Sequence, residues 1–132
     1  MSRRTDDRRS QRGSAIADFA LVSVVLVPLF FGILQLALIW HVRTTLTSAA
    51  SEGARYGAAF DRTAQDGRRR TSDRIDQTFG RDFAAQVSAD DTAVAGVRGV
   101  EVDVSAEVPV LGFWGPEITV RVSGHAVKEV LP

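Results

Sequence analysis

The sequence predicts an α+β chain. A long N-terminal transmembrane helix continues into a small extracytoplasmic domain with a second, amphipathic helix and a C-terminal antiparallel β-hairpin or small sheet. Three observations carry this expectation. From Phe19 to Trp40 the residues are apolar almost without a break. About 22 residues at 1.5 Å rise make roughly 33 Å of helix, enough to cross a hydrocarbon core of about 30 Å. Further on, Ile75, Phe79, Phe83 and Val87 recur every four residues among charges, which is a helical period. After Gly96 the period falls to two, with Val100, Val102 and Val104 alternating with Glu101, Asp103 and Ser105.

Residues 1–13 form a basic leader, charged and without periodicity, and are expected to be disordered and cytoplasmic. They hold Arg3, Arg4, Arg8, Arg9 and Arg12 against Asp6 and Asp7. The whole chain has 16 basic and 16 acidic residues, so the leader is +3 and the remainder −3. Basic residues just before a membrane span stay cytoplasmic, which places the leader inside and everything after Trp40 outside. Arg43, beyond the span, opposes this weakly. A secretory signal removed near Ala49-Ala50-Ser51 is the competing reading, but such apolar regions usually span about 7–15 residues.

The long helix is expected over 14–60, with its span at about 19–40. Pro28 removes the hydrogen bond to the Val24 carbonyl, and Gly32 follows one turn later, so a loosened turn is expected there. Past the span, Ala49, Gly53 and Gly57 lie four apart, as do Ala50, Ala54 and Ala58. Such stripes let two helix backbones approach, either within the chain or between subunits.

The remaining residues, 61–132, suffice for one small extracytoplasmic α+β domain. The chain has no cysteine, so no disulfide staples that domain. A polar loop is expected from Asp61 to Arg70, with Thr71 and Ser72 as candidate caps of the second helix. Arg68-Arg69-Arg70 reads as a solvated stretch more readily than as a contact with anionic lipid. Ile118, Val120 and Val122 alternate with Thr119, Arg121 and Ser123 and pair with the first strand as a hairpin. Its tip, Val110-Leu111-Gly112-Phe113-Trp114, is expected to fold back on the small core. For residues 87–95 the pattern does not decide between strand and loop.

No catalytic constellation emerges. The chain has two histidines, His41 beside the membrane edge and His125 near the C-terminus. Phosphate cradles, nucleophile motifs and paired metal-ligand spacings are missing from the sequence. The expectation is a non-enzyme, without metal, cofactor or small-molecule substrate. The charge pattern does not read as a nucleic-acid surface.

The leader junction is more informative. Arg12-Gly13-Ser14-Ala15-Ile16-Ala17-Asp18-Phe19-Ala20-Leu21 is a basic leader ending in glycine, with an acid five residues on. It resembles the cleavage region of type IV pilin-like proteins. Together with Val42 to Tyr56, and above all Glu52-Gly53-Ala54-Arg55-Tyr56, the chain is similar to the TadE-like family of the tight-adherence (Flp-type) pilus apparatus. The resemblance implies cleavage between Gly13 and Ser14 by a prepilin peptidase. It further implies that Asp18, fifth in the mature chain, pairs with the new α-amine of Ser14 on a neighbouring subunit. The usual acid in the family is glutamate, one methylene longer. On this basis the chain is expected to be a single-pass cytoplasmic-membrane protein, a minor pilin or pseudopilin. Its partners would be other pilin or pseudopilin subunits, pilus assembly proteins, the peptidase and membrane lipid. An uncleaved, membrane-anchored binding module is the alternative.

Overall fold

The computed structural model describes residues 6–111 and 116–130, without the side chains of residues 6–10. Helix α1 runs Asp6–Ala58 and α2 Ala64–Phe79; strands β1, Ala85–Val94, β2, Val97–Val108, and β3, Ile118–Val127, follow. The three strands form one antiparallel sheet in the order β1-β2-β3. The architecture is therefore α+β, as the periodicities predict. By internal contacts the chain divides into two units, one up to Leu36 and one from Ala37 onward.

The first unit is helix alone. α1 begins at Asp6, eight residues before the expected start at Ser14. Arginine and glutamine are good helix formers, and acids at a helix start favour its positive end, so the leader sequence supports a helix as readily as disorder. Pro28 lies inside α1. The 18-residue window that qualifies as a membrane span has a mean hydropathy of 2.5, with none of it buried. Large side chains from Ile16 to Leu36 are exposed on every side.

The second unit carries the core. Val42, Leu46, Ala49, Ala50, Ala54 and Ala58 of α1 are buried with Ile75 of α2 and with Val100, Val102, Val104, Ala106 and Val108 of β2. The alternation in β2 sends its valines to the helices and leaves Glu101, Asp103 and Glu107 on the wet face. Ala89 of β1 and Val120 of β3 flank them in the core. At Gly124 the α1 backbone lies directly on β3: an added Cβ would stand 2.5 Å from the Ala50 carbonyl carbon.

Two local boundaries differ from expectation. α2 starts at Ala64, and residues 64–70 are helical where a loop was expected. Thr63 is the N-cap, in a reciprocal capping box: the Thr63 N–H donates to Asp66 Oδ2 at 2.9 Å, and the Asp66 N–H to Thr63 Oγ1 at 3.3 Å. Thr71 and Ser72 thus lie inside the helix rather than at its cap. At the other end, Gly80 at φ 89° stops the helix, so Phe83 and Val87 are not helical. Phe83 instead stacks on Phe79, with ring centroids 4.5 Å apart.

Residues 85–94 are the third strand, joined to β2 through Ala95 and Gly96 at φ 50° and 80°. Two positive φ values in a two-residue loop match the tight hairpin turn whose twist suits paired strands. Residues 1–5 of the leader and Gly112, Phe113 and Trp114 of the expected tip lie outside the described residues.

Candidate functional site

Two stretches of α1 hold the sequence's candidate residues. In the first, Gly13, Ser14 and Asp18 are all helical and exposed. Ser14 and Asp18 stand four residues apart and so share a face. A Cβ added at Gly13 would meet nothing within 4 Å. Nothing in the chain's own packing calls for a glycine there, and glycine in a helix interior costs about 1 kcal/mol relative to alanine.

In the second stretch the opposite holds. A Cβ at Gly53 would collide with Thr71 Oγ1 and lie 2.7 Å from the Gly67 carbonyl oxygen. One at Gly57 would lie 2.9 Å from the Thr63 carbonyl oxygen, and one at Gly67 2.6 Å from that of Gly53. α1 and α2 therefore cross almost backbone to backbone, at Gly53 and Gly57 on one helix and Gly67 on the other. Ala49 closes the same seam, its carbonyl oxygen 3.4 Å from Thr71 Oγ1, while that hydroxyl also donates to the Gly67 carbonyl at 3.0 Å. The stripe of Ala49, Gly53 and Gly57 is occupied inside the chain.

Glu52 and Tyr56 flank this seam. Glu52 Oε1 lies 2.8 Å from Arg70 and Oε2 3.6 Å from Arg74. Arg62 and Arg70 stack on the Tyr56 ring, 4.8 Å and 5.6 Å from its centroid. These partners are half exposed, and each such pair contributes up to about 1 kcal/mol. Ala54 is buried. Arg55 is exposed in the last turn of α1, where a cation suits the helix's negative end. Four of the five residues from Glu52 to Tyr56 thus hold α2 on α1 or fill the core beneath.

Sequence reasoning missed Arg62, Arg70 and Arg74 as partners and Thr63 with Asp66 as the cap. The capping box was detectable as Thr-x-x-Asp ahead of the amphipathic run; the arginine partners were not, because they depend on where α2 crosses α1. The Thr63 backbone N–H, then its hydroxyl, holds the Asp66 carboxyl below its ordinary range. Glu107 is pushed up by hydrogen bonding and repulsion from Glu117. His125 Nε2 lies 3.1 Å from Glu101 Oε1 across the open sheet face, and His41 is exposed on α1. Among the described residues no cluster of three or more histidine or carboxylate side chains is placed to hold a metal.

Residues 13–55 match the family described as TadE-like protein. The match covers about a third of the chain, from the junction glycine through the apolar segment to all but the last residue of the Glu52–Tyr56 motif. It bears out the resemblance read from those residues and associates the segment with Tad pilus assembly at a membrane. No curated protein and no solved structure matches the chain.

Proposed function

From the TadE-like match over residues 13–55, we propose that the chain is a minor pilin or pseudopilin of a tight-adherence (Flp-type) pilus or of its envelope assembly machinery. It is non-enzymatic. It inserts with the leader inside, and a prepilin peptidase cuts between Gly13 and Ser14. The freed helix then packs against other pilin or pseudopilin subunits, and the domain from Ala37 onward makes contacts outside the membrane.

The observation that carries this reading is the contrast between the ends of α1. The match begins at Gly13, a glycine with no packing reason in this chain, and the apolar side chains that follow are covered by nothing. A glycine without packing duty suits a protease, because the backbone can be approached closely and the local helix opened at small cost. Asp18 then sits fifth in the mature chain, in place to pair with the Ser14 α-amine of a neighbour. Both charges lose water near the membrane, and pairing offsets that loss. Because Ala49, Gly53 and Gly57 are engaged with α2, packing between subunits falls to the apolar segment.

The test is the N-terminal sequence of protein recovered from envelopes and pili of cells carrying such a system. A start at Ser14 is the expected result. A start at Met1 or Ser2 replaces this reading with an uncleaved, anchored binding module.

A further inference from the structure

The exposed apolar segment contains two polar features that one helix cannot reconcile. Pro28 has no N–H, so the Val24 carbonyl lacks the donor a regular helix would give it. In hydrocarbon, where water is not available, such a carbonyl takes a donor from a neighbouring helix or a side chain. Eleven residues further on, Gln35 places a carboxamide, with two N–H donors, among Leu34, Leu36 and Ala37.

At 100° per residue, Val24, Pro28, Gly32 and Gln35 return to one side of α1. Gly32 lies between donor and acceptor, and a Cβ there would meet nothing within 4 Å. That side therefore offers an acceptor, a donor and a point of close backbone approach. The donor and acceptor are roughly 16 Å apart along the helix. A helical side chain reaches back about one turn, so Gln35 cannot serve its own Val24.

We infer that parallel copies of this chain pack along the face of Val24, Pro28, Gly32 and Gln35 with an axial stagger of about eleven residues, each copy's Gln35 carboxamide donating to the Val24 carbonyl of the next. The contact uses different patches on the two chains, so it does not close and propagates as a row. Copies held at one membrane depth set Gln35 level with Gln35 and Val24 level with Val24. The donor and acceptor meet only when one copy is displaced along its axis, so the contact belongs to the assembled row and not to the membrane pool. The inference rests on the pilin-like reading above and names how its subunits fit.

The chain has no cysteine, which makes the test clean. Ala20 and Phe31 are also eleven residues apart and flank the same face. The stagger sets Phe31 of one copy beside Ala20 of the next. The full chain carrying both Ala20→Cys and Phe31→Cys is oxidised mildly in cells that assemble the pilus, and the assembled fraction is run without reductant. A ladder of linked multimers is expected from the double variant and none from either single one. Adding Gln35→Leu or Pro28→Ala should lower the linked fraction about three- to tenfold. The two together should do no more than either alone, because they remove opposite ends of one bond. Dimers from Phe31→Cys or Ala20→Cys alone would mean level copies and overturn the stagger. The N-terminus is read on the same sample. Protein that begins at Ser14 and assembles without linkage overturns the stagger alone; protein that keeps its leader overturns the pilin-like reading and the stagger with it.

Discussion

One helix contains two kinds of glycine. Gly13 and Gly32 look out on open space, while Gly53 and Gly57 lie against the backbone of α2. The first pair costs helix stability and returns nothing to the isolated chain. The second pair permits a helix crossing that any side chain would block. Residues that serve the fold are explained by the chain's own atoms, and residues left unexplained by it are the ones to assign to other molecules. By that criterion the Glu52–Tyr56 motif, diagnostic as it is of the family, is first a packing device. The junction and the apolar segment are where assembly is to be sought.

The comparison can be broken most forcefully at Gly53. Gly53→Val drives a branched side chain into Thr71 and the Gly67 carbonyl, and should cost about 3 kcal/mol or more, since neither neighbour is a flexible side-chain tip. Thermal unfolding of the full chain in detergent reads it, and an unchanged Tm would mean that α2 does not dock where it is described. Gly13→Val is the mirror experiment. It should leave that transition within about 0.5 kcal/mol of the parent, because nothing is near the new side chain. Yet it should leave a full-length, membrane-bound precursor in cells with the peptidase. Shortening at the same bond would remove the peptidase assignment.

A smaller effect belongs to the cap that sets where α2 begins. Thr63→Ala should cost about 1 kcal/mol. The lowered pKa of Asp66 adds a pH signature. A carboxyl whose folded pKa lies below its unfolded one stabilises the fold above the unfolded value, and that stabilisation is lost as pH falls through the folded value. The parent should therefore lose stability on acidification below about pH 4 more steeply than Thr63→Ala, in which the hydroxyl contact is gone. Equal slopes in a pH series of unfolding midpoints would contradict the capping box. Glu52→Gln should do least, under about 1 kcal/mol and less in high salt, because its arginine partners are half exposed. A large loss would show that the flank, and not the glycine seam, holds α2.

Much of this was legible in the residues themselves. The apolar run, the two-residue alternation of β2 and β3 and the helical spacing of Ile75 and Phe79 are local signals, and each appears as an element. Where local signals competed, the reading slipped. Thr71 and Ser72 look like caps, but Thr63 with Asp66 makes the reciprocal box and starts the helix earlier. Phe83 and Val87 continue a period of four, but Gly80 has already ended the helix, and Phe83 keeps its hydrophobic role by stacking on Phe79. β1 was ambiguous because Asp90 and Asp91 interrupt its alternation and its turn is Ala95-Gly96 in place of the commoner Asn-Gly.

The amino-acid order by itself determined the long helix, the alternating strands and the junction motif, since hydrophobic period and glycine placement act over a few residues of one chain. Only the tertiary structure decided that the small-residue stripe is filled from within, by Gly67 and Thr71, and that Glu52 and Tyr56 meet arginines of α2. A stripe of small residues records that some backbone can come close; which backbone comes depends on how the sheet and α2 pack against α1, and no spacing along the chain encodes that.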